Sequence, residues 1–239
     1  MSIKDKIALV QQQLKQAAIL SGRTQEDIRL IAVSKTKSTE MILQALAAGQ
    51  SAFGENRVQE ALGKIEDLTK LPLEEWHLIG HLQKNKVKFC PGNFQWIHTL
   101  DSTELAEKLE ARSAFAQKKI NVLLQVNLSR EITKSGLHDW EDILQVSETI
   151  LSGKWLKLRG LMTIPPPNIG ETPTRKIYEK LRLWRDKLKQ DLDSPEITEL
   201  SMGMTADFHW AIQEGATMIR VGSAIFGERN EDMDCPTNM

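Results

Sequence analysis

The chain has 239 residues, 41% of them hydrophobic, and balances 31 Lys and Arg against 32 Asp and Glu; this suffices for the core of one large α/β barrel or two small domains. A net charge of -1 offers no field that would draw nucleic acid or an anionic membrane surface, so neither is an expected partner. Cys90 and Cys235 lie too far apart for a disulfide framework or a CxxC metal site, Met1 to Gln16 lacks a continuous apolar leader, and no run of about 18 apolar residues could span a bilayer, so the expectation is a soluble cytoplasmic protein.

Ile3, Ile7, Val10, Leu14 and Ala17 recur at helical spacing and predict an N-terminal helix over 2–20 that covers whatever follows. Leu30 to Val33 reads as a buried strand that surfaces at Ser34-Lys35-Thr36-Lys37, and Ser38 caps a helix ended by Gly49. Ser51 to Gly54 leads through Glu55-Asn56-Arg57 into a helix with Val58, Ala61, Leu62, Ile65 and Leu68 on one face, stopped before Pro72. Trp76 to Gly80 is a third strand, followed by a short helix ended near Pro91-Gly92. Gln95 to Thr99 is a fourth, with a capping-box pattern in Asp101 and Glu104.

Strand five, Ile120 to Val126, gives way to a polar loop over Asn127 to Gly136 and a helix closed by Gly153. Strand six, Leu158 to Ile164, must turn at Pro165-Pro166-Pro167, and the next helix carries Ile177, Leu181, Trp184 and Leu188. Ile197 to Ser201 and Met218 to Val221 supply strands seven and eight, with a helix over Thr205 to Glu214 between them. Eight strand-then-helix units without a linker predict a single-domain (β/α)8 TIM barrel over residues 1–227, with an extra N-terminal helix and a loose tail over 228–239. An open doubly wound sheet is the alternative; the first strand lacks the GxGxxG turn a dinucleotide fold wants.

Chemistry in such a barrel sits just past the carboxyl ends of the strands, where this chain places Lys35, Asn56, His81, Asp101, Asn127, Thr163, Ser201 to Thr205 and Arg220 to Ser223. Lys35 is the candidate reactive amine, because an amine emerging from an apolar wall can lose its proton and condense with an aldehyde; the alternative is a solvated strand-exit lysine. Ser201-Met202-Gly203-Met204-Thr205 and Val221-Gly222-Ser223 follow the last two strands, where barrels bind phosphate through backbone amides and hydroxyls. Arg220 interrupts an apolar strand and must meet an anion or an acceptor, either a ligand or a buried carboxylate. His77, His98 and His209 read as core or surface residues, Lys84, Lys86 and Lys88 as a solvated face, and no grouping resembles a metal site.

Several stretches together are highly specific: Ala32-Val33-Ser34-Lys35-Thr36-Lys37, Phe53-Gly54-Glu55-Asn56-Arg57-Val58-Gln59-Glu60, His77 to Lys86, Gly160-Leu161-Met162-Thr163, Ser201-Met202-Gly203-Met204-Thr205-Ala206-Asp207 and Arg220-Val221-Gly222. On these the chain resembles the pyridoxal phosphate homeostasis proteins. Thr205 departs from the family's usual serine and keeps the hydroxyl. The resemblance implies a fold-type III barrel like the N-terminal domain of alanine racemase, with pyridoxal 5′-phosphate (PLP) held as a Schiff base on Lys35. It implies that Ser201, Gly203, Thr205, Gly222 and Ser223 hold the phosphate, that Met202 belongs to the same cofactor-binding set, that Arg220 sits near the pyridine nitrogen and Asn56 near the ring, and that the protein balances cofactor supply without turnover. PLP-dependent apoenzymes are then conceivable partners.

The chain's only tyrosine, Tyr178, belongs to an outer helix, so no second acid or base of a racemase is evident, and a monomer is expected. A slow racemase-type PLP enzyme and a cofactor-free Schiff-base aldolase are the alternatives.

Overall fold

A computed structural model describes residues 1–68, 75–129, 131 and 135–228. Eight parallel strands close into a barrel in sequence order: β1 (Arg29–Val33), β2 (Ala52–Glu55), β3 (Glu75–Leu78), β4 (Trp96–Leu100), β5 (Ile120–Gln125), β6 (Leu156–Met162), β7 (Glu199–Ser201) and β8 (Met218–Val221). The ring shuts where β1 pairs with β8, Leu30 opposite Ile219 and Ile31 opposite Arg220. The outer helices are α1 (Ile3–Leu20), α2 (Thr39–Ala47), α3 (Val58–Leu68), α4 (Thr103–Ala116), α5 (Trp140–Ser152), α6 (Glu171–Asp191), α7 (Phe208–Gln213) and α8 (Ser223–Phe226). The expected barrel is therefore the fold found, and its N-terminal helix is α1.

Local chemistry sets the ends of these elements. Ser2 and Asp5 form a reciprocal capping box at the start of α1, whose buried face of Ile3, Ile7, Val10, Leu14 and Ala17 packs on α2, α7 and α8. Each of those large side chains contributes about 1.5–3 kcal/mol by leaving water. The principal core lies between the strands and the helices, and a smaller cluster of Ile31, Trp96, Leu123, Met162 and Met218 fills the barrel itself.

Several boundaries differ from expectation. The cap of α4 is Ser102, which accepts from the Leu105 amide, rather than Asp101. The helix expected after β3 is a tight 3₁₀ run, Lys84–Phe89. The helix expected from Thr205 begins only at Phe208, because the Asp207 carboxylate accepts from the Met204 amide at 2.6 Å and folds Met204 to Asp207 into a turn. Gly222-Ser223, expected as loop, opens the short α8. Cys90 is buried and its thiol is pushed up to about 12 by burial, while Cys235 and the tail expected to be loose from 229 onward lie outside the described residues. No helix among the described residues is long and apolar enough to cross a membrane.

Candidate functional site

The carboxyl ends of the strands surround a cavity of about 400 Å³. Lys35 and Lys37 reach it from the end of β1, Asn56 from β2, Ile79 from β3 and Ile164 from the turn after β6. Met204, Thr205 and Ala206 approach from the β7 turn; Arg220, Gly222 and Ser223 come from β8 and its exit. Lys35 is half-buried there, one residue past the fully buried Ser34.

The backbone on both sides of Lys35 is clamped from behind. Lys64 on α3 donates to the Ser34 carbonyl at 2.7 Å, to Glu55 at 2.8 Å and to Glu60 at 2.7 Å, and the Ser34 hydroxyl donates to Glu55 at 2.6 Å. The Thr36 amide donates to Glu60 at 2.5 Å. Thr36 has φ +60, a left-handed conformation that costs a β-branched residue about 1–3 kcal/mol and persists only where its surroundings enforce it. Glu55 is fully buried, and burial pushes its carboxyl above the ordinary range although Lys64 opposes this. Sequence reasoning treated Glu55 as the start of a loop and passed over Lys64. The available signal was the Glu60/Lys64 spacing of four, with Lys64 three residues past Ala61 on the inward stripe.

Arg220 joins Lys35 and Lys37 as a cation of the wall. It is only 4% exposed and donates to the Ser201 hydroxyl at 2.5 Å and to the Thr163 carbonyl at 3.0 Å. The alternative of a buried carboxylate as its direct partner is not what the geometry shows; its hydrogen bonds go to neutral acceptors. Tyr178 is fully buried in α6, and burial followed by the neighbouring Asp207 carboxylate raises its pKa.

The sequence-derived site residues divide into two groups. Lys35, Asn56, Thr205, Arg220, Gly222 and Ser223 line the cavity. Ser201, Met202 and Gly203 do not: Ser201 turns into the barrel to Arg220, Met202 enters the core, and Gly203 lies beneath the turn with φ +92. A Cβ on Gly203 would meet the Phe208 Cα at 2.9 Å and the Ala211 Cβ at 2.6 Å, so its glycine serves the approach of α7. Gly80 acts similarly for Asn56, whose carbonyl oxygen would stand 2.3 Å from an added Cβ. His209 is exposed, whereas His77 and His98 are fully buried and bonded to each other at 2.9 Å, a pairing that sequence spacing does not reveal.

A family model described as "Alanine racemase, N-terminal domain" matches residues 11–230. The protein of Pasteurella multocida named pyridoxal phosphate homeostasis protein is 42% identical over 232 residues, covering 96% of this chain and 99% of that one. The chain belongs to the pyridoxal phosphate homeostasis protein family. The Escherichia coli K12 member of the family is 38% identical over 230 residues, with 95% and 97% covered. PipY of Synechococcus elongatus, whose structure is known with PLP bound, superposes with a TM-score of 0.84 at 37% identity, covering 95% of this chain and 100% of that one. An alanine racemase of Clostridium difficile shares the fold at a TM-score of 0.74 and 17% identity, and this chain covers 58% of its length.

Proposed function

We propose that this chain binds pyridoxal 5′-phosphate at the carboxyl mouth of its barrel and helps keep the cofactor in balance, without serving as a catalyst itself. The observation that carries the reading is the convergence of two half-buried amines, Lys35 and the carbonyl-bound Lys37, one buried guanidinium and two hydroxyl-bearing turns on a single cavity of about 400 Å³. That volume falls in the range of small-molecule sites, roughly 300–1,000 Å³.

The residues present fit the group. The cofactor supplies an aldehyde and an aromatic ring able to accept electron density. Lys35 Nζ would be the group that holds that aldehyde, as a Schiff base formed with loss of the aldehyde oxygen as water. Thr205 and Ser223 offer hydroxyls to the phosphate. The amides opening α8 have no earlier carbonyl in their own helix and are available to the same group. Gly222 lets that turn lie close against β1, where an added Cβ would meet Val33 Cβ at 3.3 Å, and Ser201, Met202 and Gly203 would support the two turns from beneath. Arg220 would hold the ring nitrogen as a donor, and there it would disfavour protonation of that nitrogen and weaken the ring as an electron sink. Asn56, which lines the same cavity, would lie near the ring.

The lack of turnover has a structural support. Among the described residues lining the cavity there is no Tyr, His or Cys; Glu228 is the one carboxylate there, and Lys37 donates to the Gly227 and Glu228 carbonyls at 3.2 and 3.0 Å. Tyr178 is sealed in α6 with its hydroxyl proton held more tightly than usual. The same reading makes the protein a cytoplasmic monomer, its barrel running to Gly227, whose takers would be PLP-dependent apoenzymes.

The test is the intact mass of the protein after incubation with PLP, before and after borohydride reduction, followed by location of the modified peptide. A coenzyme-sized adduct on Lys35 is expected, together with a visible absorption band that Lys35→Ala abolishes. An adduct that survives Lys35→Ala unchanged, or none at all, overturns the reading. Turnover of an amino acid that depends on Lys35 would replace it with a slow racemase-type enzyme. Trapping of a phosphorylated sugar on Lys35 without PLP would replace it with an aldolase.

A further inference from the structure

A chain of buried hydrogen bonds crosses the barrel interior from its amino-terminal end to the cavity wall. Glu75 Oε2, which meets Arg29 Nε at 3.3 Å, lies 3.2 Å from His77 Nε2. His77 Nδ1 lies 2.9 Å from His98 Nε2, and His98 Nδ1 lies 2.8 Å from Ser201 Oγ, the oxygen that accepts from Arg220 at 2.5 Å. Both imidazoles are fully buried. Trp96 fixes the far end, donating its indole N–H to Glu75 Oε1 at 3.2 Å while its ring stacks on His77 with an interplanar angle of 7°.

The two ends of this chain dictate its direction. A guanidinium can only donate and an ionised carboxylate can only accept, whereas each neutral imidazole has one donor and one acceptor. With every link satisfied, one arrangement remains: Ser201 O–H donates to His98 Nδ1, His98 Nε2–H to His77 Nδ1, and His77 Nε2–H to Glu75. A proton added to His98 would make its Nδ1–H a second donor to the Ser201 oxygen, leaving the Ser201 proton without its acceptor and placing an imidazolium and the Arg220 guanidinium on one oxygen. A proton added to His77 would force His98 into the opposite tautomer, its Nδ1–H donating to Ser201 Oγ, and the Ser201 hydroxyl proton would lose its acceptor. Burial acts in the same sense, holding both imidazoles below their ordinary pKa; Arg220 and Arg29 reinforce this at His98, and Glu75 opposes it at His77.

We propose that His77 and His98 are positioning residues for Arg220. Locked in their Nε2–H tautomers and anchored by Glu75, they orient the Ser201 lone pair and thereby fix the guanidinium at the cavity wall as a donor to the heteroaromatic nitrogen of a bound ligand. The part that concerns the ligand rests on the PLP reading above; the tautomers and the rigidity of Arg220 do not.

The experiment therefore has two arms. In the protein without PLP at pH 7.5, long-range ¹H–¹⁵N spectra are expected to show His77 and His98 as neutral Nε2–H tautomers, and Arg220 as a guanidinium with slow rotation that speeds up in Ser201→Ala. An Nδ1–H tautomer or an imidazolium at either residue, or Arg220 signals indifferent to Ser201→Ala, overturns the proposal whatever the protein binds. In the second arm, PLP is titrated into the wild type, His98→Phe, Ser201→Ala and Ser201→Thr. His98→Phe and Ser201→Ala should bind about tenfold more weakly with a shifted absorption maximum, and Ser201→Thr should restore both. Loss of melting temperature with unchanged affinity and spectrum would mean a purely structural role and sink the idea; if His98→Phe does not fold, Ser201→Ala decides. Failure of the wild type to bind PLP would defeat the cofactor reading and the ligand-facing half of this proposal, while the first arm still judges the network.

Discussion

Two buried cations brace the barrel wall around the cavity, Lys64 from behind the end of β1 and Arg220 from β8 in the cavity lining, and the fold holds them in opposite ways. Lys64, behind β1, meets the carboxylates of Glu55 and Glu60 at 2.8 and 2.7 Å. Arg220, on β8, bonds a hydroxyl and a carbonyl. A cation matched by carboxylates within the scaffold exerts little field beyond it, so Lys64 acts as a clamp on the backbone around Lys35. A cation held by neutral acceptors keeps its charge for whatever enters the cavity, so Arg220 is suited to contact a ligand.

The largest expected effect breaks the first side of this comparison. Lys64→Met leaves Glu55 buried without its cation and should cost about 3–5 kcal/mol in urea unfolding. Adding Glu55→Gln to it should recover part of that loss. If the double variant were no more stable than the Lys64→Met single variant, the pair would not be coupled as drawn.

The two sides should also respond oppositely to acid. His77 and His98 are held below 6.5 mainly by burial, so below that pH the unfolded chain takes up protons that the fold refuses. Their contribution to stability is complete above 6.5 and is lost as the pH falls, by up to about 1.4 kcal/mol per pH unit for each imidazole. Glu55 is held above 4.5, chiefly by burial, so its contribution is present at low pH and is lost as the pH rises from 4.5 through its folded value. Unfolding free energies measured from pH 5 to 8 should therefore fall towards acid in the wild type, more steeply in Glu55→Gln and less steeply in His98→Phe. Identical slopes in all three proteins would contradict the contrast.

The smallest effect sharpens the clamp itself. Asn tolerates the left-handed region better than a β-branched residue, so Thr36→Asn should keep the amide bond to Glu60 and raise stability by about 1 kcal/mol or less. A drop in melting temperature would show that the Thr36 side chain does more than accept the strain.

How much of this was legible beforehand depended on whether a feature is local. Eight apolar runs alternating with helical stripes gave the barrel, because parallel strands buried on both faces and helices buried on one leave different periodicities in the chain. The position of Lys35 just past the first run, and the glycine and hydroxyl turns after the last two, placed the candidate site at one mouth for the same reason. The buried partners were not legible. Ser201 was legible as the end of strand seven, but not that it faces the barrel axis, where it meets His98 from 103 residues away. His77 finds His98 across 21 residues, and Lys64 reaches the Ser34 carbonyl across 30.

The order of units and the address of the amine are thus written in local patterns of burial and turn chemistry. Which polar groups share the interior was decided only when the ring closed, since a hydrogen bond requires a donor and an acceptor within about 3 Å and that proximity exists only in the folded barrel.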